Sequence, residues 1–333
     1  MKGLFTQSFV VLLSEPISVD EIEDLLGDYE IPRRTEAAES WELSGPGLIV
    51  AWRPEVNGHV QVDLVDQPWP DHMGDPASEG MLFGAWSMGH FGPFAFPGGL
   101  QRAIEQSWSC QEASDVAPGH RAFLRLRMSY IFGASDDTPV MPADCDPLSE
   151  LHFLTELTLA LLEHPSALCY YNPNGELLQT GETMAQLLGA DAENGLPPLD
   201  VWSNIRLFNL PEDWSAMDSV GMWQLDAPDH EAGFLSERYE PDEVACFLRD
   251  LELYMLHSGE VIADGDSVDG PGDVIWRVRT SDDGLTDPPR NTLRWLPEDR
   301  SVPPSIFYEE SAQAKNAAQG EETATRKPWW KAW

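Results

Sequence analysis

Apolar and polar positions alternate in ways that divide the chain into recognisable elements. Phe9–Leu13 is a short apolar run ended by Glu15-Pro16, which predicts a buried strand. Ser18, with Glu21 three residues on and Gly27 beyond, predicts a short capped helix to about Leu26. Leu48–Trp52 and His59–Val65 predict two strands of a hairpin around Asn57-Gly58, the second alternating Val60, Val62 and Leu64 with Gln61 and Asp63. A Pro-, Gly- and aromatic-rich loop is expected from Gln67 to Pro97, then a helix over Gly99–Trp108 and an alternating strand over Ala122–Ile131. Leu148, Leu151, Leu154, Leu157 and Leu161 recur every three or four residues and predict a helix over Pro147–Glu163. Pro165 stops it, Ala167–Tyr171 reads as a strand, and Asn172-Pro173-Asn174-Gly175 as a turn.

From Glu182 the pattern starts again. A short helix to Leu188 is followed by strands near Trp202–Phe208 and Gly221–Leu225, a helix over Asp242–His257, and strands near Val274–Arg279 and Thr292–Leu296. The order predicts an α+β fold: two α+β units with mainly antiparallel sheets and helices packed on one face. The expected domains are residues 1–180 and 181–310, with a flexible tail over 311–333 that ends in a basic, Trp-rich cluster. No repeat at solenoid spacing is present.

Charge changes this picture most. The 333 residues carry 20 Lys+Arg against 57 Asp+Glu, a formal net charge of -37. A surface of that sign repels phosphate backbones and anionic head groups, so direct binding to nucleic acid or membranes is not expected, whereas a basic protein partner is favoured. The acidity is even: 27 acids and 8 bases up to Thr180, 30 and 12 beyond it. Lysine occurs only at Lys2, Lys315, Lys327 and Lys331, so every cation between Gly3 and Ala314 is an arginine. Arginine tolerates burial against carboxylates better than lysine, so Arg125, Arg127, Arg277 and Arg279 are expected to be paired within the fold.

Candidate chemistry is sparse. The start lacks the pattern of a signal peptide, apolar runs such as Leu157–Leu162 are far shorter than a spanning helix, and Cys110, Cys145, Cys169 and Cys246 are scattered, which together read as cytoplasmic with reduced thiols. Ala85-Trp86-Ser87-Met88-Gly89 matches a variant nucleophile elbow, but the glycines and prolines after it argue against the helix an elbow needs. Asp264–Gly270 has the wrong register for a calcium loop and reads as a turn. The histidines lack metal-ligand spacing, although His152 and Glu156 lie four apart on one predicted helix. No catalytic residue, metal site or cofactor is predicted.

Gly92-Pro93, Pro97–Ala103, Trp108, His120–Arg125, the Leu148–Leu162 helix, the Ala167–Tyr171 strand and Gly259–Ser267 together resemble a bacterial family of unknown function linked to secretion loci. The chain is similar to immunity proteins that neutralise type VI secreted nuclease toxins. That resemblance implies a cytoplasmic, non-enzymatic protein that binds a cognate basic protein toxin or effector by occlusion. The alternatives are an adaptor or chaperone for a secreted effector, and an enzyme with a pocket near His90. The expected partner-binding residues are acids in loops, Asp136, Asp137, Asp144, Asp146, Asp229, Glu231, Asp282 and Asp283, with the aromatics Trp86, Phe91 and Phe94.

Overall fold

A computed structural model describes residues 2–132, 134, 139–259 and 261–308. The chain divides into two compact units, Met1–Arg206 with Val220–Asp226, and Leu207–Ser219 with Ala227–Trp333. The first boundary therefore falls after Arg206, not at 180. The expected tail over 311–333 lies outside the described residues.

The first unit carries a seven-stranded sheet built from β1 (Gln7–Leu13), β2 (Arg33–Thr35), β3 (Gly47–Ala51), β4 (His59–Val65), β5 (Ala122–Ser129), β6 (Ala167–Asn172) and β7 (Leu177–Gln179). Their order is β2-β3-β4-β5-β1-β6-β7, and every pairing is antiparallel. The helices are α1 (Val19–Leu25), α2 (Gly80–Ser87), α3 (Gly99–Glu105), α4 (Gln111–Val116), α5 (Pro147–Leu162), α6 (Gly181–Asn194) and α7 (Leu199–Trp202).

Local signals account for three helix starts. Ser18 and Glu21 form a reciprocal capping box on α1, Asp146 caps α5 ahead of Pro147, and Thr180 accepts from the Thr183 amide at the start of α6. Side chains alternate across β1, so Val10 and Leu12 join a core that includes Leu82, Trp86, Leu100, Ala103 and Ala113 from α2, α3 and α4. The opposite residues, Phe9, Val11 and Leu13, are also fully buried, and α5 lies against β1 and β6. The helical layer expected on one face is thus joined by a second on the other. Two-sided cover also explains why every position of β5 is buried.

The expected loop over Gln67–Pro97 contains α2 despite Gly80 and Gly84, because Leu82, Ala85 and Trp86 bury one side of that turn of chain. The helix expected over Gly99–Trp108 ends at Glu105 and is followed by α4.

The second sheet consists of β8 (Asn204–Asn209), β9 (Trp214–Val220), β10 (Asp229–Leu235), β11 (Ser267–Gly270), β12 (Val274–Ser281) and β13 (Thr292–Pro297), ordered β11-β12-β13-β10-β9-β8. Only the β10–β13 pairing among those resolved strand by strand is parallel. The helix α8 (Pro241–Ser258) packs on β10, with Phe247 against Trp276 and Trp295. Trp214, Ala216, Leu296 and Phe307 form a separate apolar cluster in this unit.

Gly221–Leu225, expected as a strand, instead forms a 3-10 turn over Met222–Leu225. Gly221 adopts φ 129°, and the Gln224 side chain donates to the Trp202 and Gly221 carbonyls, which folds the segment onto the first unit.

β3 and β4 approach too closely at Gly47 for any side chain. A Cβ there would lie 2.0 Å from the Val62 carbonyl oxygen. Gly47→Ala is expected to lower unfolding stability by at least about 2 kcal/mol, read as a reduced urea midpoint. An unchanged midpoint would contradict the described register.

Candidate functional site

The first unit has an open cleft of about 640 Å³, lined by residues from 40–42, 67–72 and 78–82. Trp41, Glu42, Trp69, His72, Glu79 and Met81 set its character. Two carboxylates line it and no Lys or Arg does.

Each wall is tied to the core. The first is held by a buried ionic cluster. Asp63 on β4 faces Arg125 directly across the strand pair, and Arg127 lies two residues further along β5 on the same face. The Asp63 carboxylate accepts from Arg125 Nη2 and Arg127 Nη2, both at 2.7 Å, and from the Gly45 amide at 2.8 Å. Arg125 also donates to the Trp41 and Glu42 carbonyls at 3.0 and 2.8 Å, and Arg127 to the Leu43 carbonyl at 3.0 Å. Three successive carbonyls of one loop are thereby fixed from beneath, and Trp41 and Glu42 face the cleft from that loop.

The electrostatics follow from two arginines sharing one carboxylate. Burial opposes ionisation of Asp63, but Arg125 and Arg127 more than reverse this and hold its pKa below the ordinary 3.8. Burial and the neighbouring Arg125 pull Arg127 down to about 9, still protonated at neutral pH. His90 completes the cluster. Arg127 Nη1 lies 2.8 Å from His90 Nδ1, and burial together with both arginines drives the imidazole pKa down to about 3. The same Nδ1 lies 2.9 Å from the Leu43 carbonyl oxygen, so the neutral ring is held between Arg127 and the loop through one nitrogen.

The second wall is pinned twice. The Trp69 amide donates to His120 Nε2 at 2.9 Å, while His120 Nδ1 donates to the Ala117 carbonyl at 2.6 Å. The Asp71 carboxylate accepts from the Leu100 and Gln101 amides at 2.9 Å each, at the start of α3. Trp69 itself is the hub of an aromatic cluster, with Trp86, Phe91, Phe123 and Tyr171 rings packed edge-on around it. On the third wall Asp75 accepts from Ala77 and Ser78 amides, and Glu79 accepts from the Asp75 amide at 3.2 Å.

The second unit contains its own ionic cluster. Arg290 binds Asp218 at 2.6 Å and lies 3.1 Å from Asp229, and Arg294 binds Glu231 at 2.9 Å. Thr286 donates to Asp218 and Thr292 to Glu231. Burial alone would lower the Arg290 pKa, but Asp218, Asp229 and Glu231 together raise it above its ordinary value. On the adjoining position of β10, the buried His230 accepts from Trp295 Nε1 through Nδ1, and burial lowers its pKa to about 3.

The structure rearranges the sequence-based site. Asp229 and Glu231, expected as exposed loop acids, lie on β10 at 1% and 0% exposure with arginine partners, so neither is available to a partner. Trp86 and Phe91 stack on each other at 4.8 Å inside the core, and Phe94 is half-buried against Trp223. Asp144 and Asp146 are exposed in one loop, where Asp144 pairs with Arg53 at 2.7 Å and Asp146 caps α5. Asp282 is exposed and Asp283 half-buried in the β12–β13 connection. Asp136 and Asp137 lie outside the described residues. Ser87 closes α2, its hydroxyl donating to the Phe83 carbonyl at 2.8 Å, so no elbow forms there. His152 packs edge-on against Trp202. Among the described residues no group of three or more His, Cys, Asp or Glu is placed to hold a metal ion. The sequence reading missed Trp41, Glu42 and Glu79; a Trp-Glu pair in a polar loop is the one local signal that marks them.

Two outcomes are expected. Asp63→Asn leaves two buried guanidinium groups without a counter-charge and should cost about 3–5 kcal/mol of stability, measured by urea unfolding. His90 and His230 have folded pKa values depressed below the ordinary 6.5 to about 3. The unfolded chain therefore binds more protons in that interval, and their contribution, present above pH 6.5, is lost as pH falls toward 3. Imidazole carbon shifts of both rings should stay flat from neutral pH to about pH 5.5, and a midpoint near the ordinary value would refute the burial argument.

Comparison with known families finds one match: the model of a domain of unknown function (DUF4261) covers residues 218–296. That stretch starts at Asp218 and contains every arginine and carboxylate of the second ionic cluster. No curated protein and no solved structure matches the chain.

Proposed function

We propose that this chain is a cytoplasmic immunity protein, which binds a cognate basic protein toxin such as a type VI secreted nuclease and inactivates it by covering it. The observation that carries this reading is where the positive charge goes. Arg125, Arg127, Arg206, Arg290 and Arg294 are each at most 4% exposed, and each is bound to a buried carboxylate. Lys2 is buried as well, against Asp226. Cations nearer the surface are spent too: Arg34 on Asp20 and Glu23, half-buried Arg53 on Asp144 and Glu55, Arg277 on Glu298. Arg279, expected to be ion-paired, lies instead over the Tyr308 ring at 5.0 Å. Among the described residues most cations are thus engaged by carboxylates, which leaves the acidic excess of a chain of net charge -37 to set the outer field.

Such a field steers a basic partner into contact at high rates and competes for the groups with which a nuclease holds phosphate. Inhibition then needs affinity and coverage, with no bond made or broken. The resemblance to immunity proteins and the absence of a spanning helix among the described residues agree with this reading. His90, the residue nearest the enzymatic alternative, is locked neutral beneath the Leu43 loop and does not line the cleft.

The test is co-expression with the product of the adjacent gene. The chain should co-purify with it, abolish its nuclease activity in the purified complex, and associate about tenfold more slowly when salt is raised from about 50 to 500 mM. A complex that keeps full nuclease activity would assign the chain to the adaptor class, and no complex at all would reject the proposal.

A further inference from the structure

We propose that the cleft between Trp41 and Met81 receives an arginine side chain presented by the basic partner, an inference that rests on the binding function above. The walls supply what a guanidinium needs. It is flat, weakly hydrated and cationic, so it stacks on indole faces while donating in its plane to carboxylates. Of the two indoles that line the cleft, Trp69 is 5% exposed and enclosed by four rings. Half-buried Trp41 is thus the one left to stack, and Glu42 and Glu79 line the same space. Met81, 48% exposed, offers an adaptable apolar contact for the methylene stem. At about 640 Å³ the space holds one long side chain together with its neighbours in the partner.

Charge and rigidity separate this place from the rest of the acidic surface. The excess positive charge of the Asp63 cluster lies on the inner side of the loop, its donors directed to Asp63 and to the carbonyls of Trp41, Glu42 and Leu43. Against that one charge the cleft sets two carboxylates on the outer side, so its balance stays negative. Both carboxylates are oriented before any ligand arrives. Glu42 accepts from the Ser40 hydroxyl and Glu79 from the Asp75 amide. Trp41 is braced edge-on by Phe91. An anchor side chain entering a pocket that is already formed loses little ordering entropy on the protein side, which is how single residues come to dominate an interface.

The experiment uses the full chain and blocked tripeptides, acetyl-Gly-Arg-Gly-amide with its lysine and citrulline counterparts, read by the indole resonances of Trp41 and Trp69. The arginine peptide should move the Trp41 indole signal, the lysine peptide should bind about fivefold more weakly, and citrulline should leave the signal in place. Glu42→Gln and Glu79→Gln are exposed-side changes that keep the fold, and each should weaken the arginine peptide about tenfold. If citrulline binds as well as arginine, or if the Trp41 signal is unmoved by arginine, the cleft assignment is overturned. An oligolysine peptide distinguishes the two levels: its binding elsewhere with Trp41 silent removes the cleft and leaves the acidic-surface function standing. Failure of every basic peptide to bind removes both.

Discussion

A buried carboxylate shared between two buried arginines is the contact on which the first unit turns. Asp63 joins β4 to β5, draws in the Gly45 amide, and through Arg125 and Arg127 fixes the loop that carries Trp41 and Glu42. Removing water from three charges is unfavourable, and the arrangement persists only because almost every donor and acceptor finds a partner. The second unit solves the same problem with the balance inverted, two arginines among Asp218, Asp229 and Glu231. In a chain this acidic, arginines used internally are arginines withheld from the surface. Internal cohesion and external field therefore have one cause.

The parts of the fold visible in the sequence are those with a regular run or spacing of apolar residues. β1 is a continuous apolar run, β4, β5, α5 and α8 follow period-two or period-3.6 patterns, and the α+β class follows from their order. β9 and β10 were invisible because their inward positions include Asp218, Asp229 and Glu231, which a pattern of hydrophobic and polar residues assigns to solvent. Their burial depends on Arg290 and Arg294, some sixty to seventy residues further on, and no local reading contains that information. The 3-10 turn at Met222–Leu225 reads as a strand for a related reason, since it buries Gln224 beside its apolar residues and the Trp202 carbonyl that Gln224 binds lies twenty-two residues back.

The same limit shaped the site. Asp-rich segments predict exposed acids, and the structure keeps Asp144, Asp146 and Asp282 at the surface while withdrawing Asp229 and Glu231. Aromatic residues in the Gln67–Pro97 segment were divided in the opposite way: Trp86 and Phe91 form core, and Trp69 touches both core and cleft. What holds Trp41 and Glu42 at the cleft is one arginine, Arg125, more than eighty residues away in sequence, which is a tertiary fact.

The way the chain is threaded bears on how this protein can be divided. The Val220–Asp226 segment belongs to the first unit although β9 before it and β10 after it belong to the second. Neither unit is therefore a continuous stretch of gene, and no single cut yields either one whole. The stretch matched by the family model, 218–296, likewise begins inside β9 and spans that borrowed segment. A fusion or deletion made at its ends would sever a strand and leave the first unit without its Gln224 contacts to Gln7, Asn172 and Trp202.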